Sequence, residues 1–217
     1  HRMNHDAQPA AISNEQWRHA KALQQQLDAL LGEVLGAAKL CHKLGSVEES
    51  VQQVPALGRV ALASSLPLIV RNKKRKEFIG GWLNYQISLA GDGVPLQQDG
   101  TPVGAVLHVA HWACEFAFEY DAFVGFPASA WQPWENRGNR LLWWEESESH
   151  FGAEWTYTLQ LAALKDDEAL LAAVVRPALA LLQGKPLDEA LPADVPGLLR
   201  YHDVEIDGER ELRVSLA

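Results

Sequence analysis

The spacing of the apolar residues changes from a helical period near 3.6 to a strand period of 2 close to residue 77, which limits the possible folds. Helices followed by a run of strands are typical of an α+β protein with a largely antiparallel sheet. We therefore predict one α+β domain over residues 4–217. It has a helical N-terminal part over 4–70, packed on a sheet-rich part over 77–217 that contains one further helix and a C-terminal hairpin.

The helical part contains three predicted helices. Ser13, followed three residues later by Gln16, forms a capping-box pattern at the start of the first helix. Apolar residues then recur at helical spacing, which predicts a helix over about 14–43. Shorter helices are predicted over 47–53 and 56–65, because each segment precedes or ends near a proline.

The sheet-rich part shows period-2 alternation in several short segments. Strands are predicted at residues 78–89, 94–98, 140–146 and 153–161, and a final hairpin turns at Asp207-Gly208. A helix capped by Asp166 and kinked at Pro177 precedes that hairpin. Residues 103–126 fit either a strand or a helix, and their aromatic content and alternation favour the strand.

The excess negative charge lies in the second half of the chain. The net charge is −9, and residues 1–100 contain 11 basic and 9 acidic residues, a balance of +2. Residues 101–217 contain 8 basic and 19 acidic residues, a balance of −11. This half would repel phosphates, so we predict no nucleic-acid partner, whereas a basic protein partner would be attracted.

Neither a secretory signal nor a membrane span is predicted. Residues 4–14 are polar, with Met3 as the expected natural start. The longest nearly apolar stretch, residues 60–70, is about half of a bilayer-spanning length. Cys41 and Cys114 lie too far apart in sequence for a disulfide framework, and we expect both to be buried. These observations predict a cytoplasmic protein without a membrane partner.

No short motif identifies a reaction. Glycine-rich phosphate loops, a nucleophile elbow, paired CxxC motifs and HExxH are all absent from the sequence, so no cofactor is predicted. His108, His111 and Cys114 could meet a zinc ion on a helix, but on a strand the two histidines point to opposite faces. We therefore predict no metal site.

Tryptophans and acids cluster in the second half of the chain. Eight tryptophans are present, and two of them lie in a proline- and glycine-rich loop where rigid aromatic side chains are typical of interface anchors. We predict that these aromatic residues and the neighbouring acids bind a partner. The predicted partner-binding residues are Trp131, Trp134, Glu135, Trp143, Trp144, Glu145, Glu146 and Glu148.

These features favour a small acidic binding protein of the immunity or inhibitor type, which neutralises a basic partner such as a bacterial toxin enzyme. The alternative is an enzyme or small-ligand binder with a pocket between sheet and helices, lined by Trp143, Trp155, Glu146 and a histidine. Acid–base chemistry could then use the glutamates near His150. The basic run at residues 71–76 is interpreted as a solvated loop, or as a patch for an acidic surface or a phosphate.

Overall fold

A long helix, a seven-stranded antiparallel sheet, a second helical segment and a closing strand hairpin form the fold, which confirms the predicted α+β class. The computed structural model describes residues 10–42, 47–90, 95–120 and 134–216. Predictions that concern other residues, among them the position of Trp131, lie outside the described part of the chain.

Nine strands and four α-helices are present in the described residues. The strands are β1 (Glu48–Val54), β2 (Gly58–Arg71), β3 (Glu77–Ser88), β4 (Val106–Trp112), β5 (Glu135–Arg137), β6 (Leu141–Trp144), β7 (Glu154–Gln160), β8 (Leu199–Ile206) and β9 (Glu209–Leu216). The α-helices are α1 (Asn14–Ala37), α2 (Asp167–Leu170), α3 (Arg176–Leu182) and α4 (Leu187–Ala190). The large sheet has the order β1-β2-β3-β4-β7-β6-β5, with every neighbouring pair antiparallel, and β8 pairs with β9 separately.

Helix α1 begins as the capping box predicts. Gln16 N donates a hydrogen bond to Ser13 Oγ at 3.1 Å, and Ser13 N donates one to Gln16 Oε1 at 2.9 Å. The residues buried against the sheet recur every three or four positions, so they form one stripe along the helix. They include Trp17, Ala20, Gln24, Leu27, Leu31 and Leu35.

The helix ends at Ala37, so the predicted extension to residue 43 is wrong. Lys39 adopts a left-handed φ of 63°, which a continuing helix does not allow. Leu40 N then donates to Leu35 O at 2.9 Å and closes the last turn. The left-handed position is occupied by a lysine and not by the usual glycine, which explains why the sequence pattern did not locate this end.

The predicted helices over 47–53 and 56–65 are wrong, because both segments are strands, and the helical part does not extend to residue 70. β1 and β2 form a hairpin, and β2 also pairs with β3 along its length. Since β2 is buried on both faces, its apolar residues do not alternate with polar ones and the strand period is hidden. Pro67 lies beyond Ser65, the last β2 residue paired with β1, so its missing N–H removes no bond to that strand.

The strand interpretation of residues 103–126 is right for β4 and wrong for residues 113–120. Residues 113–120 form a loop without regular structure, and residues 121–126 lie outside the described residues. The loop is fixed on the sheet because Phe116 N donates to Ser65 Oγ at 2.9 Å and the Phe116 ring is buried. Its alternating acids and aromatics therefore reflect loop packing and not a pleated strand.

Most of the other strand predictions are confirmed by β3, β6, β7 and the β8–β9 hairpin. That hairpin turns at Asp207 and Gly208 with φ values of 52° and 80°, as a type I′ turn requires. The predicted strand at 94–98 is wrong for its described part, residues 95–98, where Gln97 forms a single bridge to β9.

The second helical segment passes through α2, a π-helical turn (Leu171–Val175) and α3. Asp166 caps its start, as predicted. Pro177 has no N–H, so it cannot donate to the Ala173 carbonyl four residues earlier. The hydroxyl of Tyr157 on β7 donates to this carbonyl, at 2.9 Å. The proline is therefore accommodated by the π-helical turn and by a bond from the sheet.

One sheet face, here called the helix face, carries the main hydrophobic core beneath α1 and the second helical segment. Its buried residues include Leu62, Leu83, Ile87, Leu107, Val109, Tyr157 and Leu159. Hydrogen bonds fix the position of α1 on this face. Gln24 Nε2 donates to Ser64 Oγ at 2.9 Å, and the Tyr85 hydroxyl donates to the Asp28 carboxylate and to Gln24 O.

The opposite face, here called the polar face, buries hydrophilic side chains. Those that are at most 1% exposed are Ser65, Asn84, Gln86, Ser88, His108, Thr156 and Thr158. His108 Nδ1 lies 2.9 Å from Thr158 Oγ1, which lies 2.7 Å from the hydroxyl of Tyr201 on β8. The β8–β9 hairpin packs on part of this face, so a hydrogen-bonded chain connects the two sheets.

Candidate partner-binding site

The acidic loop, residues 145–153, joins β6 to β7 at the end of the sheet where β3 begins. It contains three of the predicted partner-binding acids, which are Glu145, Glu146 and Glu148. His150 N donates to Gly80 O of β3 at 2.8 Å. The loop therefore folds back over the sheet and does not extend freely into solvent.

Two adjacent glycines of β3 make this close approach possible. A Cβ at Gly80 would overlap Val70 Cγ2, and one at Gly81 would lie 2.9 Å from Ser149 Oγ and 3.0 Å from His111 Nε2. A side chain at either position would displace the loop. A glycine pair inside a strand pattern is a sequence signal of close backbone approach, and it could have located this contact.

A buried histidine holds the loop from below. His111 Nδ1 lies 2.9 Å from Ala153 O, and because a carbonyl only accepts, Nδ1 is the donor. Nε2 consequently accepts from the Ser149 hydroxyl at 2.8 Å, and Phe151 N donates to Ser149 Oγ at 3.0 Å. Burial lowers the pKa of His111, which favours the neutral form that these bonds require. Since the Ser149 hydroxyl donates to His111 on β4 and accepts from Phe151 N of the loop, we assign the Ser149–His111 pair to positioning the loop.

An open cleft of about 430 Å³ lies between the acidic loop and the end of β6. It is lined by Trp143, Glu145, Glu146, Ser147 and Ala153. The guanidinium carbon of Arg137 lies 3.7 Å from the centre of the Trp143 ring. This ring therefore already takes part in one cation–π contact, and its environment suits positive charge.

The acids of the loop are not neutralised by neighbouring cations. Within the described residues, Glu145, Glu146 and Glu148 form no ion pair. Glu146 instead accepts a hydrogen bond from Glu148 N at 2.9 Å, which orders the loop locally. Three carboxylates within four residues thus leave a local negative potential at the cleft.

Glu154, at the start of β7, has a structural position behind the cleft. Its carboxylate accepts hydrogen bonds from Ala113 N and Trp144 Nε1, both at 2.7 Å. Desolvation by burial raises the pKa of Glu154, and these bonds oppose that effect. Glu154 thus connects β4, β6 and β7 beneath the site.

The structure separates the predicted partner-binding residues into two groups. Trp143, Glu145 and Glu146 line the cleft, and Glu148 is exposed on the same loop. The other described members, which are Trp134, Glu135 and Trp144, do not line the cleft, although Glu135 is paired with Trp143 across β5 and β6. Trp144 is 4% exposed and belongs to the core beneath the β8–β9 hairpin, so it cannot contact a partner.

Trp134 and Glu135 lie at the edge of the sheet and, like Trp143, already have intramolecular partners. The guanidinium carbon of Arg210 lies 3.4 Å from the centre of the Trp134 ring, and Glu135 pairs with Arg137 at 2.8 Å. Sequence reasoning missed both arginines and the two small residues of the cleft, Ser147 and Ala153. The small residues flank the glutamates that were predicted, whereas nothing in the sequence indicated the arginine–tryptophan stacking.

The histidines do not form a metal site with Cys114. His108 and His111 point to opposite faces of β4, and Cys114 is exposed, contrary to expectation, while Cys41 is buried as predicted. Among the described residues, no three His, Cys, Asp or Glu side chains are arranged to hold a metal ion. Of the residues predicted to line a pocket between sheet and helices, Trp143 and Glu146 line the cleft described above. A groove of about 790 Å³ beside α1 is bordered by Leu23, Leu89, Leu161, Leu164, Arg18 and His19.

Comparisons with protein-family models, curated proteins and solved structures gave no match. In the part of the chain that the structure describes, no helix is both long enough and apolar enough to cross a membrane.

Proposed function

We propose that this chain is a cytoplasmic binding protein of the immunity or inhibitor type that neutralises a basic protein partner, such as a bacterial toxin enzyme. The observation that carries the proposal is the cleft formed by Trp143, Glu145 and Glu146, whose carboxylates lie beside an aromatic ring and form no ion pair with any described residue. A lysine or arginine side chain of the partner fits this combination, because the ring offers a cation–π contact and the carboxylates accept charge-assisted hydrogen bonds.

Long-range electrostatics support the same partner class. The second half of the chain, which contains the cleft, has a net charge of −11. A field of one sign accelerates the encounter with an oppositely charged protein, and salt weakens this effect. The cleft then supplies a local anchor, since a few buried aromatic and charged contacts dominate the affinity of most interfaces.

The loop that forms the cleft is ordered before binding. Ser149, His111 and the main chain of Gly80 hold it against the sheet. A prearranged loop loses little conformational entropy when a partner binds, so more of the contact energy contributes to affinity. This arrangement suits an inhibitor, which must bind its target tightly.

The proposal is tested by a paired charge reversal, Glu145→Lys with Glu146→Lys. The immobilised protein is used to capture partners from a lysate of its source organism at low and high salt. We expect a basic protein at a stoichiometric level, captured less well at high salt and at least tenfold less well by the variant. The matched control is Asp194→Lys with Glu209→Lys, which makes the same change in net charge at exposed positions outside the cleft.

Equal capture by the charge-reversal variant and the control would show that the cleft does not bind the partner. Recovery of no stoichiometric protein by the wild type would contradict the inhibitor proposal as a whole. Circular dichroism of both variants verifies that the fold is retained, which is expected because the replaced carboxylates form no ion pair within the described residues.

A small cationic ligand in the same cleft is the second candidate function. The cleft volume of about 430 Å³ lies within the usual range for small-molecule sites. Titration with arginine amide and with spermidine, followed by tryptophan fluorescence, separates the two candidates. Micromolar binding of either compound favours the small-ligand function, and millimolar or weaker binding favours a protein partner.

A further inference from the structure

A basic turn, residues 72–76, joins β2 to β3 and is the most positive segment of this acidic protein. Arg71 and four of the five turn residues are basic. The side chain of Asn72 orders the turn, since Asn72 Oδ1 accepts from Lys74 N at 2.9 Å and from Lys76 N at 3.0 Å. The cationic side chains are thus displayed on a defined hairpin turn.

The cations of the turn are not paired with an acidic side chain in the part of the chain that the structure describes. Arg71 pairs with Glu77 at 2.7 Å. The other basic residues form no ion pair within the described part of the chain, and they are Lys73, Lys74, Arg75 and Lys76. Next to them, Phe78 is 38% exposed and Ile79 is 52% exposed. A cationic turn with an apolar base has the composition of a contact surface.

The basic turn and the acidic loop lie at the same end of the sheet. The rings of Phe78 and His150 contact edge to face, with centroids 4.9 Å apart, and His150 N bonds to Gly80 O. At about 3.3 Å per strand residue, the turn extends roughly 13 Å beyond Gly80. One end of the molecule therefore presents a positive projection beside a negative cleft.

This placement of both charges limits which partner can dock there. An anionic membrane or a nucleic acid approaching the turn would also meet the carboxylates of Glu145, Glu146 and Glu148, and it would be repelled. A second copy of the chain carries both signs in the same arrangement. In a twofold pairing each copy offers the same surface, so the turn of each can enter the cleft of the other.

We propose that two copies of this chain form a twofold dimer, in which the basic turn of each occupies the acidic cleft of its partner. Lys73 and Lys74 supply the charges, Trp143 and the glutamates receive them, and Phe78 and Ile79 are covered by the contact. The dimer uses the cleft assigned above to a basic partner, so the two associations compete. The dimer is tested with purified protein alone and can fail while the proposed function stands.

The test is a charge swap followed by sedimentation equilibrium at low salt. Lys73→Glu with Lys74→Glu removes the net positive charge of the turn and sets two carboxylates against those of the cleft. Glu145→Lys with Glu146→Lys sets two lysines against the cations of the turn. We expect the wild type to dimerise and each variant alone to dissociate at least tenfold more readily. An equimolar mixture of the two variants restores opposite charges at both contacts, so it should form a one-to-one heterodimer. The Asp194→Lys, Glu209→Lys control should dimerise like the wild type.

Two outcomes would overturn the proposal. The first is a wild type that remains monomeric at about 100 µM in low salt, well above the dissociation constants of specific protein interfaces. The second is a mixture of the two charge-swap variants that stays monomeric while each variant keeps its native circular dichroism. Binding of monomeric wild type to vesicles containing phosphatidylserine, lost on Lys73→Glu with Lys74→Glu, would assign the turn to a membrane surface instead.

Discussion

The two faces of the seven-stranded sheet achieve burial in different ways, although the same strands form both. On β4, Leu107 and Val109 enter the apolar core beneath the helices, while His108 between them points to the polar face. Apolar burial is non-directional and depends mainly on area, whereas each buried polar group needs a partner in a defined position. We therefore expect substitutions on the helix face to act through packing, and those on the polar face to act through hydrogen bonding and protonation.

The largest effect is expected on the helix face for Leu107→Ala. The side chain is fully buried, and removing it leaves a cavity in a core that cannot collapse around the rigid sheet. The free energy of unfolding should fall by about 3 kcal/mol, measured by urea denaturation at pH 7. A loss below about 1 kcal/mol would show that this face is loosely packed, which would weaken the contrast between the faces.

A pH-dependent effect is expected one residue away, on the polar face. Burial lowers the pKa of His108 to about 3 in the folded chain, from 6.5 as the ordinary value. The folded state thus binds the proton less tightly than the unfolded state does. The contribution of neutral His108 to the free energy of unfolding is therefore complete above pH 6.5 and is lost as the pH falls towards 3. Between pH 7 and pH 5 the contribution of His108 should fall by about 2 kcal/mol.

His108→Gln tests this difference, because glutamine is neutral throughout that range and retains a donor and an acceptor. The free energy of unfolding is measured by urea denaturation at several pH values. On acidification, the free energy of unfolding of the variant should rise relative to that of the wild type. If the difference in unfolding free energy between wild type and variant stayed constant from pH 7 to pH 5, His108 would be protonated as readily in the folded state as in the unfolded state.

The sequence predicted the helix face better than the polar face. Aliphatic and aromatic residues at alternate positions of β3, β4 and β7 indicate a buried face directly. Serine, asparagine, glutamine and threonine at the intervening positions normally indicate solvent, yet Asn84 and Thr156 are fully buried here. Their burial depends on segments distant in sequence, such as the loop at Phe116 and β8, which local periodicity cannot reveal.

The candidate site was also predicted only in part, for the same reason. The acids of the loop were found because they are adjacent in sequence, as were Trp143 and Trp144. Because side chains alternate along a strand, those two rings point to opposite faces of the sheet. The sequence does not show which of the two faces is covered. The closeness of the basic turn to the acidic loop depends on the docking of His150 on Gly80, which no spacing rule encodes.

A smaller effect is expected for the hydrogen-bonded chain of the polar face. Thr158 Oγ1 lies within bonding distance of both His108 Nδ1 and the Tyr201 hydroxyl. Thr158→Val keeps the shape and removes this shared group, which should cost about 1.5 kcal/mol in unfolding free energy. Thr158→Val leaves His108 Nδ1 and the Tyr201 hydroxyl without this partner, and Tyr201→Phe removes that hydroxyl. The double variant should therefore lose less unfolding free energy than the sum of the two single variants. Strict additivity would indicate that the chain is not a coupled network.

The smallest expected effect is that of Asp28, on the helix face. Its contribution to the free energy of unfolding falls as the pH rises, whereas that of His108 falls as the pH drops. Desolvation raises the pKa of Asp28 from 3.8 to about 6, so the folded chain binds this proton more tightly than the unfolded chain does. Its stabilising contribution is complete below pH 3.8 and is lost as the pH rises through about 6.

Asp28→Asn keeps an acceptor for the Tyr85 hydroxyl and removes the charge. Because Asp28 is only half-buried, screening reduces the effect, and the variant should gain about 1 kcal/mol over wild type between pH 4.5 and pH 7.5. If the variant instead gained on acidification, the charged form of Asp28 would be the stabilising one, and the pH contrast between the two faces would disappear.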